Sequence, residues 1–270
     1  PMTARSTFAS LALAGLASIA TANPQFTTIG FDNGSQGWSV SGRTDWSPTV
    51  GNPGGALDVV LIEVFGAEIR DDESDRRFLG DYTTLGPFKL SVDVKTDSIT
   101  FFGNEVERTL VVELRDKTTP NALGLPWTSV WYELGTISAA EPGWRRFTVE
   151  VTDPNATALP PGWGGYGAEG PFGEPMLPAD RTFASVLKQV DEIVFTTFVP
   201  GFFYGFTDFV MQVDNVSLAP LSGTTCRPDL NNDGELTFDD IQAFVGFYNS
   251  SDPRADFNND QEWTFDDIQL

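Results

Sequence analysis

Two stretches near the C-terminus carry oxygen-bearing side chains at a spacing that suits a hard cation. The pattern Asp-x-Asn-x-Asp-x-Glu-x-Thr-x-x-Asp begins at Asp229 and again at Asp256, an offset of 27 residues, and 11 of the 15 residues aligned from these positions are identical. Oxygens at loop positions 1, 3, 5 and 12, a carbonyl at 7 and a water-mediated contact at 9 are the ligands of a calcium loop. The repeat therefore predicts two Ca2+ sites. The predicted ligands are Asp229, Asn231, Asp233, Glu235 (through its carbonyl), Thr237 and Asp240 in the first loop, and Asp256, Asn258, Asp260, Glu262 (through its carbonyl), Thr264 and Asp267 in the second.

The two loops differ at position 6, where a calcium loop turns sharply. Gly234 stands there in the first loop and Gln261 in the second. A residue with a side chain costs roughly 1–2 kcal/mol in the left-handed conformation, so we expect the second loop to bind calcium more weakly. The alternative interpretation is an acidic, solvated tail that binds no metal.

A helix is predicted after each loop, and none before the first. Apolar residues recur at helical spacing after the first loop, whereas residues 222–228 have the composition of a linker. A calcium loop followed by one helix, twice, resembles the dockerin module. The resemblance implies an EF-hand-like unit over 229–270 that docks to a cohesin-like protein. Loop positions 10 and 11 are Phe-Asp in both copies, where many dockerins have small hydroxyl residues. The sequence stops at Leu270, so we expect the second helix to be truncated. The helical positions are Phe238, Ile241, Phe244, Val245 and Tyr248.

Composition excludes several kinds of function. The 270 residues carry a formal charge of −22, which argues against binding to nucleic acid or to anionic membrane surfaces. There is no histidine, so a Ser-His-Asp site and ordinary zinc sites are excluded within this chain. The single cysteine, Cys226, cannot form an internal disulfide. Its partner lies beyond the C-terminal end of this sequence, or it is an unpaired linker thiol.

The N-terminal segment reads as a secretory signal peptide over residues 1–22. A short basic start is followed by an apolar run from Phe8 to Ala20, and Ala20-Thr21-Ala22 fits the small-x-small cleavage pattern. A membrane helix is the alternative, but the run is short for one, and no later stretch is long enough to span a bilayer. We therefore expect export, to the extracellular space or the cell surface.

Residues 23–221 are predicted to form one mainly β domain. Phe88, Leu90, Val92 and Val94 alternate with polar residues, as expected of a strand with one buried face. Turn-rich segments separate the predicted strands, as in a sandwich or jelly roll. One short helix is predicted over 182–190. Further strands are predicted over 57–64, 108–116, 129–134, 143–152, 192–198 and 209–218.

Several short segments of this domain resemble secreted jelly-roll modules. Phe31-Asp32-Asn33-Gly34, Gly37-Trp38, the run 51–55, the run 78–81 and the segment 213–218 are similar to carbohydrate-binding modules and to laminin domain IV. The resemblance implies a jelly-roll β-sandwich in which a structural calcium ties the first strand to the last. Asp32 and Asp214 are the residues that match this role. On the alternative interpretation they are a turn residue and a polar strand residue.

Aromatic side chains are the candidate ligand-binding residues, because aromatic rings stack against the apolar faces of sugars. Trp163 and Tyr166 lie in a Gly- and Pro-rich stretch that we expect to be an exposed loop. Trp131 belongs to a second candidate group with Trp127 and Tyr132. Other aromatic residues divide between a third group, Phe202, Phe203 and Tyr204, and predicted core positions, Trp38, Trp144 and Phe147.

Three functions fit these observations. The first is a secreted, non-catalytic protein whose sandwich binds a polysaccharide or surface glycan and whose repeat binds Ca2+ and docks to a cohesin-like partner. The second is a structural cell-surface or matrix protein without a sugar site. The third is a glycoside hydrolase or polysaccharide lyase. Such an enzyme needs a pair of carboxylates, and no acid and nucleophile motif can be recognised here.

Overall fold

The computed structural model describes residues 24–41, 45–71, 76–118, 124–221, 230–231, 237–255 and 263–264. Within them, two antiparallel sheets pack face to face, and a separate helix follows in the tail. The mainly β prediction is confirmed. The signal peptide predicted over 1–22 and the linker predicted over 222–228 lie outside the described residues.

The first sheet, sheet A, contains the longest strands. Its strand order is β10-β6-β15-β4-β3, with β1 paired to β15 and β7 paired to β6. The strands are β1 (Thr27–Ile29), β3 (Trp46–Ser47), β4 (Ala56–Val64), β6 (Phe88–Phe101), β7 (Asn104–Glu105), β10 (Trp144–Val151) and β15 (Thr207–Pro220).

The second sheet, sheet B, lies on the other side of the core. Its strand order is β11-β9-β8-β14-β5-β2. The strands are β2 (Trp38–Val40), β5 (Glu68–Asp71), β8 (Arg108–Asp116), β9 (Thr128–Ile137), β11 (Trp163–Tyr166) and β14 (Glu192–Thr196), and a small hairpin of β12 (Ala168–Glu169) and β13 (Pro175–Met176) follows β11.

The chain passes repeatedly from one sheet to the other, as in the predicted jelly roll. It runs from β4 in sheet A to β5 in sheet B, back to β6, and across again to β8. Alternation of side chains across each strand then supplies one apolar face to the core. Phe88, Leu90, Val92 and Val94 are all buried, as their spacing predicts.

The largest fully buried side chain in the core between the sheets is Trp38. Its indole is fully buried and contacts Phe78 edge-on, with ring centroids 5.4 Å apart, and lies nearly parallel to Phe195 at 6.1 Å. Phe147 is also in the core, as predicted, whereas Trp144 is only half-buried. The aromatic contacts therefore connect β2 to β14 of the same sheet and to the 3-10 helix that ends at Phe78.

Two α-helices accompany the sheets in the described part of the chain. Helix α1 (Phe183–Leu187) is shorter than predicted because Thr182 caps its first turn and the chain enters β14 soon after it. Helix α2 (Phe238–Asn249) confirms the helix predicted after the first of the two repeated loops. None of the described helices has the length and apolar composition needed to span a bilayer. Short 3-10 helices occur at Arg76–Phe78, Tyr82–Thr84 and Pro253–Ala255.

Truncation of Trp38 tests this description of the core. We expect Trp38→Ala to lower the free energy of unfolding by about 3–5 kcal/mol, because a large buried side chain is lost and a cavity remains. Urea denaturation followed by circular dichroism measures the change. As a control, Ile62→Ala, at a position 71% exposed on β4, should change stability by less than about 0.5 kcal/mol. Similar losses in both variants would contradict the assignment.

Candidate functional site

The outer face of sheet B carries polar and aromatic side chains where the alternation points away from the core. On β8, Leu110, Val112 and Leu114 are in the core, so Glu113 and Arg115 point outward. Neighbouring strands and the segment before β9 add further outward residues. We call this surface the polar face and define it by Glu68, Arg70, Glu113, Arg115, Lys117, Trp127, Ser129, Trp131, Tyr166 and Glu192.

A buried arginine lies at the centre of the polar face. The Arg115 side chain is 3% exposed, and its guanidinium donates through Nε and Nη2 to Glu113 Oε2 at 2.8 and 2.6 Å. Nη1 donates to Glu192 Oε2 at 2.9 Å and Nη2 to Glu68 Oε1 at 3.1 Å. Each nitrogen of the guanidinium therefore has a carboxylate partner, and the carboxylates come from three different strands.

Two further cations complete this network at its edge. Lys117 Nζ donates to Glu192 Oε1 at 2.7 Å, and Arg70 Nη2 donates to Glu68 Oε2 at 3.1 Å. Burial alone would raise the pKa of Glu192, but hydrogen bonds and charges from Lys117 and Arg115 outweigh burial and hold its pKa below the usual range. The Glu192 carboxylate is therefore an ionised structural partner at neutral pH.

The indole of Trp127 is held in place by this network. Its Nε1 donates to Glu113 Oε1 at 2.9 Å, and the Arg115 guanidinium carbon lies 4.0 Å from the ring centroid. Ser129 donates to the same Glu113 oxygen. One face of the ring therefore lies against a cation and its edge is hydrogen-bonded, while the side chain as a whole is partly exposed.

Two of the predicted ligand-binding residues, Tyr166 and Trp131, also lie on the polar face, and Tyr166 is next to Trp127. Tyr166 is half-buried, with its ring centroid 6.2 Å from that of Trp127 and an interplanar angle of 38°. Trp131 is also half-buried, and its Nε1 donates to the Gly165 carbonyl at 3.3 Å. The Trp131 ring lies against Gly164, since a Cβ atom there would be 2.2 Å from it. Three aromatic residues therefore share this face with the ion-pair network.

The third predicted ligand-binding residue, Trp163, does not belong to this face. The expected loop is strand β11, and Trp163 points inward, is 7% exposed and packs against Tyr132 and Phe183. The prediction of exposure was wrong because the strand's glycines are covered by neighbours. Leu177 occupies the space beside Gly165, and Trp131 the space beside Gly164.

Other predicted aromatic residues have different surroundings. Phe202 and Phe203 are 60% and 68% exposed in the loop between β14 and β15, and Tyr204 lies over the buried Arg108 at 4.7 Å. The ion-pair network itself was not foreseen from the sequence. The available signal was a glutamate and an arginine at alternate positions, Glu113 and Arg115, in an otherwise apolar strand.

Asp32 and Asp214 are brought together, as the resemblance implies. Asn215 Oδ1, Asp32 Oδ2 and Asp214 Oδ1 lie 3.5, 3.7 and 3.9 Å from the position that a Cβ atom on Gly30 would take. Burial raises the pKa of Asp214, against hydrogen bonds from the Asn52 and Asn215 amides, and the charges of Asp93 and Asp32 raise it further. Among the described residues, no three His, Cys, Asp or Glu side chains form a metal-binding group. Asn215 adds an amide oxygen to the two carboxylates, and oxygens of these kinds are the ligands that Ca2+ takes.

The tail is described only around the first loop's helix and at one point of the second loop. Thr237 caps helix α2, and Asp240 Oδ2 accepts from the Thr237 amide at 2.9 Å. Asp240 Oδ1 accepts from the amides of Leu230 and Asn231, so this carboxylate joins the start of the loop to the helix. Of the second loop, Thr264 is described. The remaining predicted ligands, Asp229, Asp233, Glu235, Asp256, Asn258, Asp260, Glu262 and Asp267, lie outside the described residues.

No protein-family model matches this chain, and no curated protein matches it. Among solved structures, it is similar to the C-terminal family 22 carbohydrate-binding module of a Clostridium thermocellum protein, with a TM-score of 0.41 and 11% identity over 76% of this chain and 99% of that one. An exo-beta-agarase matches 84% of this chain and 31% of its own, with 9% identity and a TM-score of 0.43. The family 30 carbohydrate-binding module of a Clostridium thermocellum cellulosomal cellulase matches over 75% of this chain and 98% of its own length, with 13% identity and a TM-score of 0.33. The function of this chain therefore has to be argued from its own residues.

The acid stability of the protein tests the ion-pair network. The pKa of Glu192 is lower in the folded state than in the unfolded state. The Glu192 carboxylate therefore contributes fully to folding stability at pH values above the ordinary glutamate pKa. This contribution is lost as the pH falls through the ordinary pKa and then through the lower pKa of the folded state. We expect Glu192→Gln to cost about 1.5–3 kcal/mol at pH 7 and progressively less from about pH 5 to pH 3. Urea denaturation at each pH measures the difference.

The matched control is Glu150→Gln, on an exposed position of β10 in the other sheet. It should leave the pH dependence of stability unchanged. A cost for Glu192→Gln that stays constant between pH 7 and pH 3 would contradict the assignment.

Proposed function

We propose that the polar face binds a polysaccharide or a surface glycan without altering it. The observation that supports this most strongly is the indole of Trp127, which the ion pairs hold in place, with Tyr166 next to it and Trp131 on the same face. A sugar ring offers apolar C–H faces to aromatic rings and hydroxyl groups to nearby polar side chains. The ion pairs fix Trp127 before a ligand arrives, so little side-chain freedom is lost on binding.

The charges of the polar face favour binding over catalysis. A glycosidase needs one carboxyl group that is protonated near neutral pH to act as the general acid. Glu192 does not suit this role because its cationic partners keep it ionised. Glu113, the other buried carboxylate on the face, is bonded to the same arginine.

A structural cell-surface or matrix protein could have the same fold, but that role would not require the aromatic residues of the polar face. A spacer domain would gain nothing from half-buried Trp127, Trp131 and Tyr166 side chains gathered at an ion-pair network. The presence of three such rings on one face is therefore the reason to prefer glycan binding.

The tail adds calcium binding and protein docking to the proposal. The duplicated loop supports two Ca2+ sites, and the loop and helix pattern supports docking to a cohesin-like protein. Asp32 and Asp214, with Asn215, would hold a further Ca2+ that links the segment after β1 to β15. The apolar N-terminal run supports export to the extracellular space or the cell surface.

Polysaccharide-containing native gels test the glycan proposal. We expect the protein to be retarded by at least one of xylan, agarose, hydroxyethylcellulose and galactomannan, and we expect Trp127→Ala to weaken binding roughly 2- to 10-fold. The loss follows from about 0.5–1.5 kcal/mol for one aromatic contact. Tyr166→Ala and Trp131→Ala should weaken binding in the same range.

The control is Trp46→Ala, which removes a partly exposed indole from sheet A. It should migrate like the parent on every gel. No retardation on a broad panel would support the structural alternative, and equal losses for Trp46→Ala and Trp127→Ala would place the site elsewhere.

A Gly30→Ala variant tests the calcium proposed for the sandwich. The added methyl group would make contacts no shorter than 3.5 Å, so the fold tolerates it, but it occupies the space among the three oxygens. We expect Ca2+ to raise the melting temperature of the parent sandwich, relative to EDTA, and to have no such effect on the variant. A parent that melts identically in Ca2+ and EDTA would contradict this site.

The calcium loops of the tail provide an internal comparison in the same experiment. Protease resistance of the tail should depend on Ca2+ equally in the parent and in Gly30→Ala, because the substitution lies in the sandwich and changes neither of the predicted calcium loops. Tail resistance that EDTA leaves unchanged would contradict the predicted loops.

A further inference from the structure

The charged groups of the polar face balance each other. Three carboxylates and three cations contact one another through ion pairs of 2.6 to 3.7 Å. The formal charge of the group is therefore zero. The members are Glu68, Glu113, Glu192, Arg70, Arg115 and Lys117.

Four of the five N–H donors of the central arginine already bond to carboxylates. Glu113 accepts hydrogen bonds from Nε and Nη2, Glu192 accepts one from Nη1, and Glu68 accepts a second one from Nη2. A carboxylate or sulfate on a sugar would find only the second N–H of Nη1, or would have to displace one of these bonds. Because the Arg115 side chain is only 3% exposed, such a ligand would also have to be desolvated in return for at most one new hydrogen bond.

Acidic side chains lie around the aromatic group. Glu133 is exposed two residues beyond Trp131 on β9, and Glu169 is exposed three residues beyond Tyr166. The pKa of Tyr166 is raised by burial and further by the charge of Glu113, against Arg115, with Glu169 adding to the rise. The carboxylates of Glu113 and Glu169 therefore act on the Tyr166 hydroxyl, and they would oppose an anion that approaches it.

From this balance we infer that the polar face selects uncharged glycans and rejects those that carry carboxylate or sulfate groups. The inference rests on the proposed glycan binding and names the class of ligand. Glu68 is the specificity-determining residue that is easiest to test. It neutralises both Arg115 and Arg70, and its side chain is 19% exposed, so it can be changed with little disturbance of the core.

Pairs of polysaccharides with related backbones and different charge provide the probe. We would compare hydroxyethylcellulose with carboxymethylcellulose, methyl-esterified pectin with polygalacturonate, and agarose with carrageenan in native gels at low salt. The parent should be retarded more strongly by the neutral member of any pair it recognises. Added salt should reduce the discrimination, because it screens the repulsion.

Glu68→Gln keeps the shape of the side chain and leaves the network with one positive charge. We expect the ratio of neutral to acidic retardation to fall about fivefold, the effect of one unit charge at contact distance in water. Glu150→Gln changes the net charge of the protein by the same amount on the other sheet. That control should leave the ratio unchanged, so a general charge effect is separated from a local one.

The outcomes separate the inference from the proposed function. If no polysaccharide of either kind retards the parent, glycan binding itself is contradicted. If the acidic members retard it as strongly as the neutral ones, or if Glu68→Gln and Glu150→Gln shift the ratio equally, glycan binding stands and charge selection is overturned. A ratio changed only by Glu68→Gln supports the inference.

Discussion

A guanidinium that is 3% exposed has to be neutralised where it lies, and the outer face of sheet B meets this requirement for Arg115. Its carboxylate partners come from β5, β8 and β14, so the network joins three neighbouring strands through their side chains as well as their backbones. Trp127 then depends on the same residues, because Glu113 accepts its N–H and Arg115 supports its ring. Removing the arginine would therefore affect sheet stability and the aromatic surface together.

Such a network is a costly way to stabilise a sheet. Apolar residues of similar volume would often be at least as stabilising as buried ion pairs, because the charges must be desolvated. What the ion pairs add is a fixed orientation for a partly exposed indole and a surface without excess charge. Both properties would suit the neutral, hydroxyl-rich ligand that we propose, because preorganisation limits the entropic cost of binding.

The sequence predicted those features that depend on local pattern. Period-two alternation located β6 and β8, and helical spacing located α2. The sequence misled where neighbours from distant segments fill a gap, as at Gly164 and Gly165, whose lack of side chains suggests a loop. Arg115 and Glu192 are 77 residues apart, and nothing in the local pattern of either strand indicates that they pair. The proximity of Asp32 and Asp214 came from the resemblance to jelly-roll modules and not from spacing.

The central claim is that a ligand stacks on the indole that Arg115 and Glu113 hold in place. Indole N–H signals in a proton–nitrogen correlation spectrum report on each of the 7 tryptophans separately, once each signal is assigned from a single-site variant. Neutral xylo-, cello- and agaro-oligosaccharides would be titrated into the protein in turn. The account predicts that at least one of them shifts the Trp127 and Trp131 signals and leaves those of Trp46 and the buried Trp38 in place. Shifts confined to tryptophans outside the polar face would contradict it.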